Sequence, residues 1–240
     1  MNVLSVLDLA KNQGQHQVLK RIDFLVQSGQ IFGLLGPNGA GKTTTIQAIM
    51  GLVRPARGRV LLDGRDITGL PMYQRARLGI CYLPQEPSIF VNLTVEENIL
   101  AVLKALKLGK PQALKRLEQL LSDMGLQSVR RQPSKTLSGG ERRRVEIARL
   151  LATSPKFLLL DEPFAGLDPL AIIDLQAAIL AMAKNQVGVI ISDHNVRDTL
   201  SMCTMATIIK AGSILAEGTP TSLAASPEAL AGYLGREFTL

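Results

Sequence analysis

Gly36-Pro37-Asn38-Gly39-Ala40-Gly41-Lys42-Thr43 follows the apolar run Ile31-Phe32-Gly33-Leu34-Leu35 and precedes a helical pattern through Ile46 and Met50 that Gly51 stops. The apolar run reads as a buried parallel strand, and the octet fits GxxxxGK[ST] between that strand and a helix. Glycines at this spacing let backbone N–H groups close around phosphate oxygens, and the helix N-terminus adds partial positive charge. Lys42 reaches outer phosphates, and the Thr43 hydroxyl suits Mg²⁺. Gly36, Pro37, Asn38, Gly39, Ala40, Gly41, Lys42, Thr43 and Thr44 are therefore the candidate nucleotide-binding residues of an α/β fold.

Other strands surround this one. Val3–Leu9 and Val18–Val26 alternate apolar and polar positions, as strands exposed on one face do. Val60–Leu62 reads as a strand before the Asp63-Gly64 turn, and Ile80–Leu83 as a buried strand ending at Pro84. From about Pro87 to Ser154 the character changes to helical periodicity, with Leu114, Leu117, Leu120 and Leu121 in phase. That predicts a helical lobe inserted into the α/β core. Strands resume at Phe157–Leu160, Val187–Ile191 and Thr207–Ile209, with a helix over Ala171–Ala183. Gly218-Thr219-Pro220 opens a helical tail.

Composition narrows the class. The 240 residues are 46% hydrophobic and 20% charged, enough for a full core. The net charge of +7 comes from scattered basic residues, and aromatics are only 4%, too few for a base-stacking platform. No nucleic-acid partner is expected; the excess charge suits solubility or contact with anionic headgroups. Cys81 and Cys203 have no CxxC partner and read as buried reduced thiols. Asp8 and Lys11 follow the start closely, so no signal peptide is expected. No apolar run approaches the roughly 18 residues of a membrane span. A soluble chain without direct lipid insertion is expected, one that can still dock on a membrane protein.

Further residues carry chemistry. Phe157-Leu158-Leu159-Leu160-Asp161-Glu162 is an apolar strand ending in two carboxylates, which beside a phosphate loop are more than a solvated strand end. Asp161 suits Mg²⁺ through its water shell and Glu162 suits an attacking water. Gln85 follows a buried strand, where its amide can ligate the metal or orient the water. His194 follows the Val187–Ile191 strand, and parallel strands gather their C-termini at the ligand edge. Leu137-Ser138-Gly139-Gly140-Glu141 is a second glycine turn opening a helix, a second anion site. A chain with two such sites either binds two phosphates or shares one nucleotide with a second copy. Ala165-Gly166-Leu167-Asp168 is placed to buttress a neighbouring subunit.

These motifs, in this order over nearly the whole chain, resemble the ATPase subunits of ABC transporters. The resemblance implies a P-loop NTPase core with an antiparallel β subdomain and an inserted α-helical subdomain. It divides the chain into core and β subdomain (1–86 and 155–218), helical signature subdomain (87–154) and C-terminal helical tail (219–240). It implies an ATP hydrolase using Mg²⁺, active as a head-to-tail homodimer with ATP between the phosphate loop of one copy and the LSGGE turn of the other. Under it Lys42 and Thr43 serve phosphate and Mg²⁺, Asp161 the metal, and Gln85 metal and water. Ser138, Gly139, Gly140 and Glu141 serve the partner's nucleotide, with Ser138 and Gly140 at its γ-phosphate; Glu162 is the general base and His194 the γ-phosphate sensor. With no second phosphate loop present, the glycine turn is half of a site that a second copy completes.

Within that family, Tyr82–Phe90, Leu137–Ala148, Leu160–Gly166, Asp193–Arg197 and Tyr233-Leu234-Gly235…Phe238…Leu240 resemble the lipopolysaccharide-export ATPases. This implies two transmembrane permease subunits of the LptF and LptG type, with LptC, docking in a groove at Glu86–Leu93. The location implied is cytoplasmic, peripheral on the inner membrane. Two departures stand out: Lys11–His16 offers no aromatic to stack on adenine, leaving His16 or Val18, and Val91-Asn92 replaces basic residues. A branched-chain amino-acid importer ATPase is the alternative. Long coiled-coil insertions, typical of the non-transport ATPases acting on DNA or ribosomes, and the Asn-Lys-x-Asp motif of GTPases do not occur.

Overall fold

The computed structural model describes residues 1–235 and 237–239. β1 (Val3–Gln13) and β2 (His16–Gln27) form an antiparallel hairpin whose polar tips pair beyond the alternating stretches. β3 (Ile31–Leu35) is buried along its whole length, as a central parallel strand covered on both faces must be. α1 (Lys42–Met50) ends where Gly51 adopts φ 78° and returns its N–H to the carbonyls of the last turn. β4 (Arg57–Leu62) pairs with β1, and the two-residue β5 (Arg65–Asp66) with β4.

α2 (Met72–Arg77) leads into β6 (Ile80–Leu83). It shows no apolar period because its one buried side chain is Arg75. That guanidinium is 1% exposed and donates to the carbonyls of Thr68, Leu70, Ala48 and Ile49. A cation thus sits on the C-terminal carbonyls of α1, where the helix dipole favours it.

α3 (Val95–Ala105), α4 (Lys110–Asp123) and α5 (Gly139–Leu151) follow, then β7 (Phe157–Asp161). Thr94 and Glu97 form a capping box at the start of α3. In α4 the buried stripe runs through Ala113, Leu117, Leu120 and Leu121, at i, i+4, i+7 and i+8. Leu114, expected on that stripe, is instead 45% exposed, one position off it. α6 (Pro169–Lys184), β8 (Gly188–Ser192), α7 (Val196–Leu200), β9 (Met205–Lys210) and β10 (Ser213–Gly218) complete the core.

The tail is not one helix. Pro220 and Pro227 each restart it, giving short turns at Pro220–Ala224 and Pro227–Ala229 and a π-turn at Leu230–Leu234. Leu240 lies outside the described residues. Cys81 is buried and Cys203, expected buried, keeps part of its surface open in the turn before β9; both are free. Burial pushes the Cys203 thiol up to about 12, so it stays protonated. Among the described residues, no helix is long and apolar enough to cross a membrane.

The ten-stranded sheet runs β5-β4-β1-β2-β10-β9-β3-β8-β7-β6. Its β9-β3-β8-β7-β6 half is parallel and its β5-β4-β1-β2 half antiparallel. Strand alternation sends the side chains of β7 and β8 into two different cores. Leu158, Leu160, Val189 and Ile191 enter the cluster shared with α3–α6, while Phe157, Leu159 and Ile190 enter the cluster shared with α1 and the hairpin. Register sets the C-termini level: Asp161 lies opposite Ser192, and Leu34 opposite Ser192 from the other side. Residues following β3, β6, β7 and β8 therefore meet at one edge.

Candidate nucleotide site

The glycine loop fits its place because a side chain would not. A Cβ on Gly36, whose φ is 145°, would fall 2.1 Å from the Ile209 carbonyl oxygen; on Gly41, at φ 113°, it would fall 2.4 Å from Leu19. Lys42, at the first turn of α1, folds its Nζ back onto the Gly36 and Pro37 carbonyls at 2.6 and 3.1 Å. Burial pushes the Lys42 pKa down, against the raising pull of Glu162, Asp161 and Asp193. A buried ammonium among loop N–H groups at a helix N-terminus is a cradle for an anion. Ala40 is buried beneath the loop. Asn38, Gly39, Gly41, Lys42, Thr43 and Thr44 line a cleft of about 640 Å³, which Gln85, Glu162 and His194 close on one side and Gln13, His16 and Val18 on the other.

The two carboxylates separate at the end of β7. Asp161 is 1% exposed and surrounded by hydroxyls: Thr43 Oγ1 at 3.2 Å and Ser192 Oγ on Oδ1, and the Tyr82 hydroxyl at 3.3 Å on Oδ2. Burial and the Asp161 charge raise the Tyr82 pKa, so its hydroxyl stays a donor. Glu162 leaves the strand at φ 46°, a left-handed conformation rare outside glycine, while its N–H donates to the Ser192 carbonyl at 2.7 Å. That kink turns the carboxylate toward Gln85, whose Nε2 donates to Oε2 at 3.0 Å. His194 Nδ1 lies 3.6 Å from the same oxygen and 3.5 Å from Asp193 Oδ1. Burial raises the Asp193 pKa.

Sequence reasoning did not single out Arg143, which braces this edge. Its guanidinium donates to the Pro84, Asp161 and Glu162 carbonyls at 2.9, 3.1 and 3.3 Å and pairs with Glu146 at 3.2 Å. Nor did it single out Tyr82 and Ser192 beside Asp161. Only the strand register brings these together.

The second glycine turn stands apart. Ser138 Oγ accepts from the Glu141 N–H at 3.2 Å and Glu141 Oε2 accepts from the Ser138 N–H at 2.8 Å, a capping box at the start of α5. A Cβ on Gly140 would come within 2.6 Å of the Ala171 Cβ, so this glycine also allows α5 and α6 to cross closely. Ser138, Gly140 and Glu141 do not line the phosphate-loop cleft, and Gly139 lines a smaller neighbouring one. Asp168 caps α6 by accepting from the Ala171 N–H at 2.9 Å.

The segment Glu86–Leu93 is an irregular ledge held from beneath. Buried Asn98 accepts from the Phe90 N–H and donates to the carbonyls of Phe90, Leu93 and Thr94. Glu146 accepts from the Ser88 N–H, and Arg149 donates to the Ser88 carbonyl at 2.6 Å. The Arg149 guanidinium lies 4.1 Å from the centroid of the Phe90 ring. Phe90 and Val91 remain 46% and 51% exposed.

A glycine phosphate loop on a parallel sheet, an antiparallel layer beside it and a helical insertion carrying a second glycine turn together define a P-loop ATPase of the cassette type. An ATP-binding cassette of an ABC transporter solved in its ADP conformation superposes with a TM-score of 0.87 at 26% identity, covering 98% of this chain and 99% of that one. The ABC transporter family pattern matches residues 19–165, more than half of the sequence, and the chain belongs to that family. A probable ABC transporter ATP-binding protein of Azorhizobium caulinodans is 52% identical over 99% of this chain and 84% of its own. The lipopolysaccharide export system ATP-binding proteins LptB of Haemophilus influenzae and Escherichia coli are 47% and 46% identical over the whole of both chains.

Proposed function

We propose that this chain hydrolyses ATP as the nucleotide-binding subunit of an ABC transporter that extracts lipopolysaccharide from the inner membrane for export to the outer membrane. The observation that carries the mechanism is the separation of Ser138–Glu141 from the phosphate-loop cleft, which Gln85, Glu162 and His194 do face. One chain thus offers two half-enclosures in two places, and head-to-tail pairing of two copies joins them. The substrate reading is supported by full-length relatives named for lipopolysaccharide export at 46–48% identity.

In this reading Lys42 and the N–H groups of Gly36–Thr44 hold the phosphates. The donors offered to a metal are all oxygens, with the Thr43 hydroxyl beside the Asp161 carboxylate and the Gln85 amide oxygen on the cleft wall, a set that suits Mg²⁺. Thr43, Asp161 and Gln85 would hold it, and bound there it neutralises charge on the transferred phosphoryl group. Glu162 accepts a proton from the attacking water while Gln85 keeps its carboxylate in place. His194 donates to the γ-phosphate. The second copy's Ser138, Gly139, Gly140 and Glu141 close on that phosphate with N–H groups and a hydroxyl. His16 and Val18, on the hairpin side of the cleft, cover the adenine in place of a Phe, Tyr or Trp ring.

The division of labour follows the chain: 1–86 and 155–218 as nucleotide-binding core with β subdomain, 87–154 as signature subdomain, 219–240 as tail. The ledge at Glu86–Leu93 receives a permease pair of the LptF and LptG type, with LptC, at the cytoplasmic face of the inner membrane. Scattered basic charge serves neither nucleic acid nor lipid insertion. Affinity purification from membranes tests the reading. It should recover the permease pair and ATPase activity; recovery of a permease bound to a periplasmic amino-acid-binding protein would assign the chain to import instead.

A further inference from the structure

Asp161 has an unusual surrounding for a buried carboxylate. The donors to its side-chain oxygens are hydroxyls, one from each flanking strand and one from α1. Ser192 ends β8, directly opposite Asp161 in the sheet register. Tyr82 lies on β6 opposite Leu159, so its ring falls on the same face as Asp161, two residues along. The Thr43 and Ser192 hydroxyls share Oδ1, and Tyr82 takes Oδ2.

This division has a consequence for metal binding. Thr43 is an exposed residue lining the cleft, and rotation of its side chain would turn the hydroxyl toward a cation. Ser192 is fully buried and the Tyr82 ring is packed against the apolar cluster beneath the sheet, so neither hydroxyl is presented to the cleft. When Thr43 turns away, one oxygen of Asp161 is still held by Ser192 and the other by Tyr82. The terminal torsion of an aspartate is otherwise broad and close to two-fold. Pinning both oxygens from opposite strands fixes the plane of the carboxylate before any cation arrives. Hydrogen bonds behind a metal-binding carboxylate act in this way.

We propose that Ser192 and Tyr82 are positioning residues that orient Asp161 for the divalent cation of the nucleotide complex. The inference rests on the nucleotide site proposed above. Its test is the affinity of the full chain for a fluorescent ATP analogue, measured in EDTA and across a Mg²⁺ titration, so that no turnover is needed. The Mg²⁺ concentration at half effect should rise about tenfold in Ser192→Ala, the low end of losses seen when such supporting bonds are removed, and by a smaller factor, about threefold, in Tyr82→Phe, whose hydrogen bond is the longer one. Affinity in EDTA should stay within about twofold of wild type, because the phosphate loop is untouched, and Ser192→Thr should restore most of the Mg²⁺ response. Should Ser192→Ala not fold, Tyr82→Phe decides alone, since it removes one oxygen and keeps the ring. A Mg²⁺ midpoint unchanged in Tyr82→Phe and Ser192→Ala, or an equal loss with and without Mg²⁺, overturns the inference. A wild-type chain that binds nucleotide with no Mg²⁺ dependence overturns the parent reading as well.

Discussion

The Gln85 side-chain amide donates to the Glu162 carboxylate at 3.0 Å, joining the loop after β6 to the end of β7 along one wall of the phosphate cleft. Gln85 immediately precedes the ledge at Glu86–Leu93, so one hydrogen bond links the carboxylate to the stretch of backbone that carries the proposed docking surface. Arg143 strengthens the link by bonding the carbonyls of Pro84, Asp161 and Glu162 from α5. Gln85 and Arg143 thus tie the backbone just before the ledge to the Glu162 carboxylate and to the end of β7.

Glu162→Gln keeps the size of the side chain and its reach to Gln85 but removes the proton acceptor. Loss of a general base costs roughly 10²–10⁴-fold in rate. We expect ATP binding within a few-fold of wild type, turnover reduced by at least about a hundredfold, and an ATP-dependent dimer on size exclusion. Substantial residual turnover would remove Glu162 as the base.

Lys42→Met separates stability from function. The Lys42 pKa is depressed chiefly by burial, and a base with a depressed folded-state pKa destabilises the fold in its charged form. That cost is present at neutral pH and fades as pH rises through the lowered value. Without ligand the variant should melt no lower than wild type near pH 7. ATP at about a hundred times its Kd should stabilise the wild type by about 2.7 kcal/mol and the variant by almost nothing. Thermal melts with and without ATP and Mg²⁺ make the comparison; an equal ATP-induced shift in both proteins would exclude Lys42 from phosphate binding.

How much of this was legible in the sequence follows from how local each feature is. The phosphate loop, the buried strands at Ile31–Leu35 and Phe157–Asp161, and the helical insertion declare themselves within a few consecutive residues. β5 and α2 do not, because two exposed charged residues make up the one and a buried arginine anchors the other. β10 has only intermediate burial for most of its length and so lacks the apolar alternation of a strand. Within the site, the residue types were readable but their bracing was not. Tyr82 and Ser192 meet Asp161 only through strand register, and the left-handed turn at Glu162 has no glycine to announce it.

Phe90→Ala addresses the ledge. Half of the ring is exposed and the rest is stacked under Arg149, so the truncation removes surface without opening the core. ATP hydrolysis by the isolated chain should stay within about twofold, while assembly with the permease should weaken by 1 kcal/mol or more, about fivefold, as for a central aromatic anchor. Recovery of the membrane complex from Phe90→Ala and wild-type cells measures this directly, and equal recovery would move the docking surface elsewhere.

Ser138 offers the sharpest separation of a folding role from a catalytic one. Within one chain its oxygen caps α5, and Ser138→Ala should lose about 1 kcal/mol of stability along with any contact to a partner's nucleotide. That variant alone cannot distinguish the two effects. Ser138→Asp can, because aspartate caps a helix as well as serine does and suits the positive end of the dipole. The thermal midpoint of Ser138→Asp should therefore match or exceed that of Ser138→Ala. Its charge, however, would face the γ-phosphate across the interface, where like charges within a dry contact are strongly unfavourable. ATP-induced dimerisation and hydrolysis should both fall below those of Ser138→Ala, even though the variant is the more stable of the two. If activity instead follows stability, with Ser138→Asp the better enzyme, then Ser138 acts only as a helix cap and the shared-nucleotide arrangement loses its support.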